Sequence, residues 1–275
     1  MAKTFVFERF PSIYAFMETI DKRPDEKHFR TESTDTDNPE WYGTKDYPEA
    51  LEKLANGMPE KAKMLEASLR NIKAKSAQTV TKSRIQRNYY GYAPNVPAAL
   101  AGVPKAMKYR ERVPHKTKTI HIWFNRCALG SVSAETLDKS GCATLALVYL
   151  LEQAGYRVKL EIMVSATDCD RCGDLFCNVL VKDFRQPLDM LKLSFPLVSP
   201  SMFRRFGFKW KETCPNLPAG SSEPNYGRSY TKPDMLALLK RKNVPLDNVY
   251  IIDWRDCKES GFDAVKLAKR LEITL

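Results

Sequence analysis

Three cysteines in one short stretch carry the sharpest local chemistry of the chain. Cys169 and Cys172 are separated by two residues, and Cys177 follows soon after. Two thiolates at this spacing can bite one Zn²⁺, with Cys177 and then Cys214 or Cys257 completing a tetrahedron. A second paired motif is missing, and His28, His115 and His121, the only histidines, lie elsewhere in the sequence. The simpler expectation is reduced thiols and no resident cofactor, with a structural zinc as the alternative at Cys169, Cys172 and Cys177. A redox pair fits less well, because such a nucleophile normally sits at a helix N-terminus and this one follows a strand.

Carboxylates gather at one other place. Asp253, Asp256 and Glu259 follow the apolar run Val249–Ile252, a spacing that would suit metal-assisted phosphodiester chemistry. In the plainer reading Asp253 caps a loop and its neighbours are solvated. The chain has no Walker loop, no Gly-x-Gly-x-x-Gly after its central strand, no His-Glu-x-x-His and no Gly-x-Ser-x-Gly elbow. An enzyme is therefore the less favoured expectation.

Positive charge is the broadest chemical signal. Forty-four Lys and Arg against 33 Asp and Glu leave a net charge of +11, which favours polyanionic partners. Between Thr79 and Arg112, Arg84, Arg87, Lys105 and Lys108 interleave with Tyr89, Tyr90 and Tyr92. Arg204 and Arg205 form a second basic pair in a stretch expected to be exposed. Cations with tyrosines can hold phosphates and stack on bases, as single-strand binders do. The plainer reading, preferred because spacing alone does not put the rings on one face, packs the tyrosines of a proline-rich segment onto a core.

These residues hang on a central β-loop-α-β unit. Thr119–Phe124 is rich in β-branched and aromatic residues, Asn125–Ser133 is a loop, Ala134–Ala154 has helical spacing, and Tyr156–Val164 is a second strand. A crossover of this length joins parallel strands. Leu175–Lys182 predicts a third strand in a hairpin with the second, Pro233–Lys242 a helix, Asn248–Asp253 a strand and Asp263–Leu271 a closing helix. Pro196 and Pro200 are expected to interrupt a helix beginning near Pro187, and Cys214–Tyr230 reads as a long loop. Upstream, a short extended start and helices near Ser12–Asp21, Tyr47–Gly57 and Pro59–Lys75 are expected. The organisation expected is thus an α-helical and irregular region over 1–112 packing on an α/β domain over 113–275. No apolar run approaches the roughly 18 residues of a membrane span, and no secretory leader is legible, so the expected setting is a cytoplasm.

The element order from Lys118 resembles a von Willebrand factor A-like fold, with a Rossmann-like sheet as the neighbouring possibility. That resemblance implies a divalent-cation loop, Asp-x-Ser-x-Ser, at the end of the first strand. This chain has Asn125-Arg126-Cys127-Ala128-Leu129 there, so the carboxylate and both hydroxyls are replaced and the hard-cation site is dismantled. Asn125, Ser131, Ser133 and Asp253 remain as a strand-end ligand or partner site. A closer resemblance is to a family of uncharacterised bacteriophage proteins. It is carried by Asn38-Pro39-Glu40-Trp41-Tyr42-Gly43-Thr44, by Pro94–Ala98 with Leu100-Ala101-Gly102, by Val132–Thr136, by Leu151–Val158 and by Ser199–Arg205. It implies phage origin, hence a host cytoplasm, and a shared fold, with no catalytic residues to carry over.

The function expected is a non-enzymatic phage interaction protein that binds a host or phage macromolecule through the loops at Asn125–Ser133 and Cys214–Tyr230. Direct nucleic-acid binding and a metal-dependent enzyme acting on nucleotides or nucleic acid are the alternatives. Homo-oligomerisation is compatible with either binding role.

Overall fold

The computed structural model describes residues 4–24, 32–76, 85–110, 118–168, 173–215 and 229–274. Two compact units are present, one made of residues 1–70 with 118–275 and the other of residues 71–117. The division differs from the expected boundary near 112 in assigning the N-terminal segment and the C-terminal sheet to one unit.

That unit opens with β1 (Phe5–Phe10), α1 (Ile13–Lys22), α2 (Pro39–Tyr42), α3 (Tyr47–Asn56) and α4 (Pro59–Ser76), which continues into the second unit. Ser12, Asn38 and Asp46 cap the first three helices by accepting from backbone N–H groups, and prolines stand in the first turns of α2 and α3. The second unit holds β2 (Ile85–Asn88), β3 (Ala93–Pro94), α5 (Val96–Leu100) and β4 (Met107–Arg110). The chain then returns through β5 (Thr119–Asn125), α6 (Ala134–Gln153), β6 (Arg157–Asp168) and β7 (Gly173–Lys182). It closes with α7 (Met190–Val198), a π-helical stretch Met202–Gly207, α8 (Phe208–Glu212), α9 (Lys232–Arg241), β8 (Val249–Ile252), α10 (Trp254–Glu259) and α11 (Ala264–Arg270).

The main unit is mixed α/β, with a five-stranded sheet in the order β1-β7-β6-β5-β8 flanked by helices. β5 pairs in parallel with both β6 and β8, β6 and β7 form the expected antiparallel hairpin, and β1 lies parallel to β7. Successive strand side chains point to opposite faces, so β5 serves two cores. Trp123 joins Met163, Phe176 and Ile251 beneath Met235, Leu238 and Leu239 of α9. Phe124 faces the other way, towards Arg126, whose guanidinium stacks on its ring and bonds the carbonyl of Leu137 in α6. On that side α6 packs with α7, α10 and α11.

The α6–α7 contact is unusually close. A Cβ on Gly141 would collide with the backbone carbonyl of Leu197. Small residues at Ser140, Gly141 and Ala143 make that approach possible, and Ser140 and Thr144 turn their hydroxyls back onto carbonyls of their own helix.

Two local expectations are corrected. Pro196 lies inside α7 instead of ending it, because Leu193, Phe195, Leu197 and Val198 are all buried and their packing outweighs the lost hydrogen bond. Thr79–Arg112, read as irregular, contains the three-stranded sheet β2-β4-β3. No helix among the described residues is long and apolar enough to cross a membrane.

Candidate nucleic-acid interface and the strand ends

The small sheet brings most of the basic and aromatic candidates together. Opposite residues of an antiparallel pair share a face, and the register sets Ile85 against Arg110 and Arg87 against Lys108. Arg87, Lys108 and Arg110 are all exposed, so one face is a strip of three cations. No carboxylate pairs with Arg87, Lys105, Lys108 or Arg110 among the described residues. Like charges directly opposite each other destabilise a strand pair, so this strip is held at a cost that an anionic ligand would remove.

Tyr89, Tyr90 and Tyr92 are 67%, 64% and 59% exposed, which overturns the expectation that these rings pack onto a core. Lys105 lies over the Tyr89 ring at 5.7 Å, and Arg110 over Tyr92 at 5.6 Å. Tyr90 meets half-buried Tyr109 edge to face at 5.3 Å. Between the two tyrosines, Gly91 rests on β4 so closely that a Cβ would collide with the carbonyl of Lys108. The N–H of Tyr92 donates to that same carbonyl at 3.0 Å. Tyr90, Gly91, Tyr92, Tyr109 and Arg110 thereby line a groove of about 680 Å³. Arg84 lies outside the described residues.

Arg204 and Arg205 do not belong to any basic surface. Both are fully buried, a correction to the expected exposure. Arg204 donates to the carbonyls of Trp41 at 2.6 Å and Val132 at 2.5 Å, and stacks on the Trp41 ring at 4.0 Å. Arg205 donates to the carbonyls of Ser33, Asp35 and Thr44 and to the Thr44 hydroxyl, over the Tyr42 ring at 4.4 Å. Arg126 likewise reaches the carbonyls of Leu137, Val198 and Ser199. These guanidiniums are held by backbone oxygens and rings. Burial lowers all three, Arg126 and Arg204 to about 10. Their work is to tie the 33–44 segment and the α6 entrance to the 198–205 turn.

At the carboxyl ends of β5 and β8, Asn125 and Asp253 stand on neighbouring strands, and each is 2% exposed. The Asn125 carbonyl accepts from Cys127 N–H at 3.1 Å and the Ser165 hydroxyl at 3.2 Å. Asp253 caps α10, a helix missing from the sequence expectation, by accepting from Arg255 and Asp256 N–H, while Asp256 accepts in return from Asp253 N–H. Asp256 also meets Lys232 and Arg270, and Glu259 meets Arg270, so these carboxylates are paired with cations. Ser133 caps α6 through Thr136 N–H at 3.2 Å, and Ser131 is exposed.

Cys169 and Cys172 lie outside the described residues, as does most of the Cys214–Tyr230 loop. Cys177 is buried four residues inside β7, roughly 13 Å along the strand from Gly173, so its sulphur sits in the sheet core. Burial also pushes its thiol well above the usual range. No group of three His, Cys, Asp or Glu side chains suited to a metal ion occurs among the described residues.

One cluster escaped the sequence reading. Glu161 of β6, 3% exposed, meets Arg9 at 2.9 Å, Lys159 at 3.0 Å, His121 at 3.2 Å and the Asn178 amide at 3.0 Å. Burial pushes its carboxyl up, but bonds from His121 and Lys159 and the charges of His121 and Arg9 outweigh this and hold it at about 2. A carboxylate so acidic is a weak base, so the cluster acts as a clamp between strands. The only trace of it in the sequence is a charged residue in the middle of an apolar strand.

A family model described as a domain of unknown function, DUF7192, matches residues 3–274. The chain belongs to the DUF7192 family. The match takes in both units, so the small basic sheet lies within the DUF7192 domain along with the five-stranded one. No curated protein and no solved structure matched this DUF7192 chain.

Proposed function

We propose that this chain is a phage-encoded, non-enzymatic binding protein of the host cytoplasm whose macromolecular partner is nucleic acid. The observation that carries the reading is the exposed Arg87–Lys108–Arg110 strip, unpaired with any described carboxylate and bordered by three solvent-facing tyrosines. Phosphates would relieve the cross-strand repulsion, and the rings would offer faces to bases. The five-stranded sheet belongs to the other unit. Its finer description as von Willebrand A-like rests on the parallel β5-α6-β6 unit and on the neighbouring strand ends at Asn125 and Asp253, where amide and cap replace a cation site. Phage origin rests on the motifs quoted above.

Fluorescence anisotropy of a labelled oligonucleotide at rising salt tests the reading. Binding that weakens steeply, with a log–log slope set by the phosphates neutralised, is expected. An absence of binding at low salt would remove the nucleic-acid reading and leave a protein partner in its place.

A further inference from the structure

We infer that the groove of Tyr90, Gly91, Tyr92, Tyr109 and Arg110 is a base-stacking cleft for single-stranded nucleic acid, with the Arg87–Lys108–Arg110 strip tracking its phosphates. The inference rests on the nucleic-acid reading above and names the form of the ligand.

Single strands are indicated by the chemistry of the walls. Ring faces read bases only when those bases are free of a duplex stack. Tyr90 and Tyr92 stand more than half exposed, and the groove they line with Tyr109 falls within the roughly 300–1,000 Å³ of known ligand sites. The groove is open to solvent, which suits a chain passing through more than an enclosed small molecule. Duplex readers usually present a helix to the major groove. Among the described residues, the helix lying wholly within this unit, α5, is five residues long and carries Val96, Pro97, Ala98, Ala99 and Leu100, with no polar side chain to reach a base edge.

The cleft is also built, not incidental. Gly91 lets the tyrosine-bearing turn settle on β4, and the Tyr92 N–H bond to Lys108 fixes it there. That bond joins the turn carrying the rings to the residue whose side chain lies in the cationic strip. Arg110 contributes to both surfaces, since its guanidinium sits over Tyr92 while its strand position places it beside Lys108. A base on the rings and a phosphate on the strip would therefore belong to adjacent parts of one strand. Every base has a face to stack on a ring, so the binding is expected to tolerate sequence.

The test compares fluorescein-labelled oligothymidylate with a duplex of the same length, using the full chain. The wild type is expected to prefer the single strand about tenfold or more. Tyr90→Ala with Tyr92→Ala should lose that preference and leave the salt slope unchanged, whereas Tyr90→Phe with Tyr92→Phe should keep it. Arg87→Ala with Lys108→Ala should weaken binding of both ligands and lower the single-strand slope by about 1.4. Equal binding of duplex and single strand, or tyrosine-to-alanine variants that bind as the wild type does, would overturn the cleft while nucleic-acid binding stood. Failure to bind either ligand would overturn both. Circular dichroism of each variant separates a lost contact from a lost fold.

Discussion

Arg9 of β1 reaches across the whole width of β7 to meet Glu161 of β6 at 2.9 Å. Glu161 is ionised in the fold down to about pH 2, against an ordinary value of 4.5. Below pH 4.5 the unfolded chain takes up a proton that the folded chain refuses, so stability present above that pH is lost as pH falls towards 2. The contribution is on the order of 3 kcal/mol. Urea unfolding followed from pH 6 to pH 3 should show the loss in the wild type, and Glu161→Gln should be less stable at pH 6 with a flatter profile.

Gly141→Ala should destabilise the main unit by about 2 kcal/mol or more, since the added methyl meets backbone and not a side chain that could swing away. Thermal unfolding measures it, and an unchanged midpoint would mean that α6 and α7 are not held as closely as described.

Arg205→Lys should cost stability and spare binding. One ammonium cannot replace a guanidinium bonded to three separate carbonyls and a hydroxyl, so a loss of about 2 kcal/mol in urea unfolding is expected. Because Arg205 is buried, the salt slope of oligonucleotide binding should not move. A lowered slope would return Arg205 to the basic surface.

Gly91→Ala should act on the ligand more than on the main unit. The methyl would push the tyrosine turn off β4, and oligothymidylate affinity should fall towards that of the Tyr90→Ala, Tyr92→Ala variant with the main thermal transition in place.

Burial pushes the thiols of Cys127, Cys214 and Cys257 up to about 12 and that of Cys142 to about 11. Iodoacetamide at pH 8 should leave Cys127, Cys177, Cys214 and Cys257 unlabelled in the native protein and label them in urea, as peptide mass mapping would show.

The parts of this fold that could be read from sequence are those whose signal is local. Thr119–Phe124, the helix after Ser133, the hairpin of β6 and β7 and the Tyr47 helix announce themselves by apolar spacing, and the Pro59 helix by its first-turn proline. β1 could be read as extended, but not as a member of the sheet, because parallel pairing with a strand as distant as β7 leaves no mark in the residues nearby. Strands as short as two and four residues, such as β3 and β2, fall below any periodicity signal. Arg204 and Arg205 were misplaced for a different reason. Charge is normally a sign of exposure, and a cradle of carbonyls contributed by residues 33–44 has no signature in the residues beside the arginines. For the candidate interface, residue types were legible at Arg87, Tyr89, Tyr90, Lys105 and Lys108, while their common surface depended on a strand register that only the fold supplies.

The placement of β1 bears on how the chain is made. β1 pairs with β7, which is made long after it, so its partner does not exist until synthesis has passed Lys182. Through that interval Phe5, Phe7 and Phe10 have no sheet to join, and β7, once made, shows a bare outer edge until β1 docks. A nascent chain in that condition is open to pairing with a neighbour through the unfilled edge. Removal of residues 1–10 would make the exposure permanent, leaving a β7 edge that recruits other strands.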